Sequence, residues 1–148
     1  MDAMKISSFV FLTAALLAAV SGGCVSTRGK GVSMTWRMFQ NDKGEIVLEE
    51  SAEAGDASLA KEVEILSAGL VSVNQSSTLT AVNSIYSLVK KPLDLEYRID
   101  WLGDDGGVLD HYTVFWSRFT LLPEDMQFLS ANLPGPAAGY KLRVRRQQ

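Results

Sequence analysis

Leu93-Asp94-Leu95-Glu96-Tyr97-Arg98-Ile99-Asp100-Trp101 alternates without a break. Every odd position is large and apolar, and every even one is charged. Side chains on an extended strand point to opposite faces in turn. Nine residues of strict alternation therefore predict a β-strand with Leu93, Leu95, Tyr97, Ile99 and Trp101 in a core and the charges facing water. A helix would scatter both classes around its circumference.

The flanking sequence has the same character. Val63 to Ala68 and Thr78 to Ser87 predict two earlier strands, the second closed by Lys90-Lys91-Pro92. Downstream, Gly103-Asp104-Asp105-Gly106-Gly107 predicts a turn, because glycine accepts the positive φ that tight turns require. Tyr112 to Trp116, Arg118 to Leu122 and Met126 to Ala131 continue the strand material. Asn132 to Gly139 is a loop, and Tyr140 to Arg146 is a closing strand that alternates apolar with basic residues. Six or seven short strands separated by turns predict an all-β, antiparallel immunoglobulin-like β-sandwich.

The other end of the chain predicts an address. Phe9 to Val20 is an uncharged apolar run of twelve residues behind Lys5. That suits a signal peptide but falls short of the roughly 20 residues needed to span a bilayer. Val20-Ser21-Gly22-Gly23-Cys24 follows, resembling a lipobox, in which small residues precede a cysteine that accepts a diacylglyceryl group. Gly22 and Gly23 suit that pattern, and Ser21 departs from it where leucine is preferred. Cys24 is the expected lipid attachment site. Val25 to Gly31 is polar and glycine-containing, as a flexible tether would be. Val25 after the cysteine, in place of Asp, favours the outer membrane. Cleavage after Ser21 would instead leave a soluble periplasmic protein.

The expected organisation is therefore a signal peptide over 1–23, a tether and poorly legible segment over 24–61, and the sandwich over 62–148. Within the middle segment, Met34 to Gln40 reads as a strand or a helical turn. Glu49 to Asp56, acidic and alanine-rich, reads as a solvated loop.

Composition narrows the chemistry. A net charge of −3 gives no electrostatic reason to expect nucleic acid. One cysteine and one histidine, His111, leave no Cys- or His-based metal cluster to expect. Asp100, Asp104, Asp105 and Asp110 lack calcium-loop spacing and read as turn residues. His111 has no nucleophile motif beside it. No catalytic residue, cofactor or metal is expected. Trp101, Tyr112, Phe115, Trp116 and Phe119 read mainly as core, with an exposed carbohydrate platform as the competing reading. The row Lys141, Arg143, Arg145 and Arg146 predicts either cross-strand partners for Asp94, Glu96 and Asp100 or a site for anionic headgroups.

Taken in order, the Asn83-containing strand, Leu95 to Trp101, the Asp105-Gly106 turn, Trp116 to Leu122 with Pro123-Glu124, and Tyr140 to Val144 resemble the YcfL-type family of small periplasmic lipoproteins. The likeness covers residues 62–146. It implies an immunoglobulin-like domain in the cell envelope and carries over no functional residue except the lipid-bearing cysteine. The expected role is a membrane-anchored binding or assembly module, with envelope proteins or peptidoglycan as partners. A structural protein without a specific ligand is the alternative.

Overall fold

The structure, a computed structural model, describes residues 30–72, 78–112 and 115–148. Eight strands are formed among them: β1 Val32–Gln40, β2 Ile46–Ala54, β3 Val63–Ser72, β4 Leu79–Ser87, β5 Leu93–Leu102, β6 Ser117–Leu121, β7 Met126–Asn132 and β8 Gly139–Arg146. They build two antiparallel sheets, one in the order β2-β1-β8-β5-β6 and one in the order β3-β4-β7. The second sheet thus has the A-B-E order of an immunoglobulin-like domain. β6, β5 and β8 take the C′, C and F places of the other. The G position beside β8 is filled by β1, from the other end of the chain. The expected antiparallel sandwich is present.

The faces of β5 follow its alternation on one side only. Leu93, Leu95, Ile99 and Trp101 are buried, and Tyr97 is half-buried against Phe119. Trp101 packs edge-on against Tyr140, which stacks on Trp36 of β1. A buried tryptophan on the C strand at the centre of the core is a hallmark of this sandwich. Tyr140 reaches across to the second sheet. Its hydroxyl accepts from the Gly69 N–H (2.9 Å) and donates to Asn83 Oδ1 (2.9 Å). Asn83, fully buried, donates in turn to the Leu129 carbonyl. The two sheets are therefore joined by a polar bridge as well as by apolar packing.

The other face of β5 corrects the sequence reading. Asp94 is exposed as expected, but Glu96 and Asp100 are buried, at 5% and 1% exposure. Both are buried beside arginines, Glu96 with Arg145 and Asp100 with Arg143.

Residues 25–61 correct it further. The poorly legible part of this stretch carries two strands, and Met34 to Gln40, read as a strand or a helical turn, is strand. β1 pairs along its whole length with β2 and, through Val32–Arg37, with β8. The acidic stretch read as a loop is β2, an edge strand so exposed that its composition carries no core pattern. Gly31 sets the entry of β1. Its φ is +64°, and a Cβ there would lie 2.0 Å from the Val144 carbonyl oxygen, so only glycine fits. Tyr112, read as strand, ends a short 3-10 turn over Asp110–Tyr112.

Candidate functional site

The basic row of β8 is built into the outer face of the larger sheet, and its register decides what each cation meets. Glu96 opposes Arg145, Arg98 opposes Arg143, and Asp100 opposes Lys141. Arg145 Nε lies 2.5 Å from Glu96 Oε1, and Arg143 Nε lies 2.5 Å from Asp100 Oδ2. Arg98 Nε sits 2.8 Å from Asp100 Oδ1, a charge contact without hydrogen-bond alignment, so both atoms lack a hydrogen bond. Lys141 reaches across β1 to Glu53 of β2, at 2.8 Å. The Lys141 ammonium beside Glu53 holds that carboxyl below its ordinary range.

The expected neighbourhood of β5 and β8 is thus correct, and two details differ. Asp94 meets Thr120 rather than a base (2.8 Å). Arg143 serves Asp100, and Glu96 is served by Arg145, two residues further along β8. Trp116 explains the burial. Its ring lies 3.8 Å from the Arg145 guanidinium carbon and 5.1 Å from that of Arg98, roofing the charged lattice.

At the end of β8, Arg146 and Lys91 both hold Glu62. Burial pushes the Glu62 carboxyl up, but the two cations outweigh it and hold it below its ordinary range. Lys141, Arg143, Arg145 and Arg146 thus each have a carboxylate partner, although Asp100 is shared with Arg98 and Glu62 with Lys91.

Other singled-out residues are spread out. Asp105 accepts from the Gly107 N–H (2.9 Å), the local turn role expected of it. His111 and Asp110 are exposed on the 3-10 turn. Trp101 and Phe119 belong to the core, whereas Tyr112 and Phe115 are exposed, Phe115 at 90%. No group of three or more His, Cys, Asp or Glu side chains among the described residues is placed to hold a metal. Cys24 lies outside the described residues.

A concave surface among the described residues lies elsewhere, at the edge shared by β2 and β3. The larger sheet has five strands and the smaller three, so β2 and part of β1 overhang. Residues facing the sandwich interior there are left open: Ile46 (73% exposed), Leu48 (55%) and Met38 (38%). Where the overhang meets β3, a cleft of about 330 Å³ opens among Val32, Met34, Ala52, Ala54, Val63 and Ile65. Alanines make this cleft, because their short side chains cannot reach β3. On the opposite face of the same hairpin, a more polar cleft of about 320 Å³ lies among Lys30, Ser33, Glu53, Gly55, Trp116 and Arg143. Both adjoin the point where the described chain begins. Sequence reading missed this site. The available signal was the pair of alternating rows in β2, with Ile46 and Leu48 on one face and Val47 on the other.

A two-sheet antiparallel sandwich with a charged outer lattice and an open apolar edge is a class of protein rather than an activity. The chain belongs to the DUF1425 family, a protein family of unknown function, whose model matches residues 47–146. A crystal structure of a DUF1425 family member from Shewanella sp. pv-4 is 19% identical, covering 75% of this chain and 96% of that one at a TM-score of 0.51. The crystal structure of Campylobacter jejuni cj0090 is also 19% identical, covering 56% of this chain and 85% of that one at a TM-score of 0.48. No curated protein matches the chain.

Proposed function

We propose that this protein is a lipoprotein of the YcfL type, anchored through Cys24 to the outer membrane and facing the periplasm. Its sandwich serves as a non-enzymatic binding or assembly module for envelope components. The open cleft between β2 and β3 carries the binding part of this reading. A stable domain has every incentive to cover apolar side chains. Here Ile46, Leu48 and the alanine-lined cleft stay uncovered by any described residue.

The anchor reading rests on the apolar run and the Gly22-Gly23-Cys24 sequence. It also suits the position of the site. Lys30 lines the polar cleft and follows Cys24 by six residues, a reach of roughly 20 Å when extended. Acylation at Cys24 would hold the open edge close to a membrane surface.

Labelled palmitate tests the anchor. It is expected to enter the wild-type chain and not Cys24→Ser, and the substituted protein is expected to leave the membrane fraction. Equal labelling of both forms, or of neither, would overturn it in favour of a soluble periplasmic protein. Photo-crosslinkers at several surface positions in intact cells test the module. A reproducible partner supports binding, and none at any position supports a structural protein without a ligand.

A further inference from the structure

Sheet edges are where proteins invite or refuse extra strands, and the four edges of this sandwich differ. β6 is five residues long, and β3 carries a register shift between Ile65 and Ser67. Both features discourage strand addition. β7 pairs with β4 in unbroken register but is two residues shorter than β2 and carries no charged side chain. β2 has none of these protections. It runs nine residues in unbroken register with β1, contains no proline, glycine, lysine or arginine, and borders the apolar cleft.

We infer that β2 receives an added strand from a partner protein, an extended segment alternating apolar with basic residues. The rows of β2 dictate that composition. Leu48, Ala52 and Ala54, with Glu50 between them, face the inner side, where apolar side chains of a neighbouring strand would lie over the cleft. Glu49 and Glu53 face the outer side, where Arg37 and Lys141 already approach them from one side and basic side chains of an added strand would approach from the other. From Glu45 to Asp56 the chain has five carboxylates and no Lys or Arg.

The fold already contains one strand of this composition. β8 places Tyr140, Leu142 and Val144 inward with no exposure, while its outward Lys141 holds Glu53. The same sheet surface therefore accepts a strand of this kind on the far side of β1. A second copy of β2 fits less well. Antiparallel pairing about its middle residue would set Glu50 against Glu50, and each chain carries a net charge of −3.

This inference rests on the binding-module reading, and its test is independent of the anchor. The probe is a synthetic peptide, Gly-Tyr-Lys-Leu-Arg-Val-Arg-Arg, with the sequence of β8. It is added to the purified full chain, and hydrogen exchange is followed residue by residue. Saturable binding with slowed exchange at β2 amides is expected. A peptide with Glu at each basic position, and one of the same composition without alternation, are expected to bind at least about tenfold more weakly. Ala52→Arg, at an exposed position in the cleft, should weaken binding by about tenfold without changing the urea midpoint. Glu49→Lys with Ser51→Lys, both on the exposed outer row, should reverse the preference toward the acidic peptide.

No binding, binding that leaves β2 exchange unchanged, or equal binding of the non-alternating peptide would each overturn the inference. So would β2 protection that depends on protein concentration alone, which would assign the edge to a second copy. In-cell crosslinks from other surfaces with none from β2 would remove the inference and leave the binding module standing.

Discussion

Tyr140 holds two kinds of stabilisation in one side chain. Its ring packs between Trp36 and Trp101, and its hydroxyl links Gly69 to Asn83 with no exposure to water. Tyr140→Phe keeps the ring and removes the bridge. The Gly69 N–H and Asn83 Oδ1 then lose a buried partner, a loss of about 1–3 kcal/mol by urea unfolding. An unchanged midpoint would mean that water reaches the gap. The same hydroxyl fixes an alkaline limit. Burial pushes the phenol up to about 12, against the opposing pull of the Gly69 and Asn83 hydrogen bonds. An unfolded chain releases that proton near the ordinary tyrosine value of about 10. Between about pH 10 and about pH 12 the folded state therefore binds more protons, and this contribution to stability falls as pH rises. Below pH 10 it is constant. Subtracting the Tyr140→Phe curve from the wild-type curve should isolate the slope.

At the scale of the element, β5 and β8 show how far alternation can be read. The apolar row of β5 was legible because core residues must be apolar whatever surrounds them. Its charged row was half legible. Alternation shows that Glu96 and Asp100 share a face, and the basic row of β8 supplies their partners. That Trp116 folds over them is invisible, since it comes from a connection 15 residues beyond Trp101 with no periodicity of its own. Burial changes the expected energetics. Exposed pairs contribute about 0–1 kcal/mol, whereas removing one partner of a buried pair costs about 3–5 kcal/mol. Glu96 and Arg145 have side-chain exposures of 6% and 20%, while Glu53, reached by Lys141 across β1, has 64%. A double-mutant cycle on Glu96→Gln and Arg145→Gln should give a coupling above about 1 kcal/mol. The parallel cycle on Glu53→Gln and Lys141→Gln should give less than that, and should vanish in high salt. Equal couplings for the two pairs would show that Trp116 does not shield the first.

For the whole molecule, the decisive question is where the domain starts. The sequence separates residues 62–148, rich in strand signals, from an N-terminal stretch where Met34 to Gln40 is the one ambiguous strand. That boundary followed composition: β2 is acidic and exposed, and β1 mixes Trp36 with Arg37 and Gln40, so neither displays a clean buried row. Topology gives them a different standing. β1 fills the G position of the immunoglobulin-like sheet, and Val32 and Trp36 are core residues against Val144 and Tyr140. Without the hairpin, β8 would become an edge, baring a row of backbone donors and acceptors along Val144 to Tyr140. Trp36 would no longer stack on Tyr140, and burial of a residue that size is worth about 3–5 kcal/mol against a typical total of 5–15. A fragment of residues 62–148 also lacks Leu59, which is completely buried. Such a fragment should fail to give a cooperative urea transition or should aggregate, whereas residues 30–148 should unfold in one step. If 62–148 shows dispersed amide resonances and the midpoint of the longer chain, the hairpin is an appendage. The open edge at β2 would then belong to a segment that the sandwich does not need.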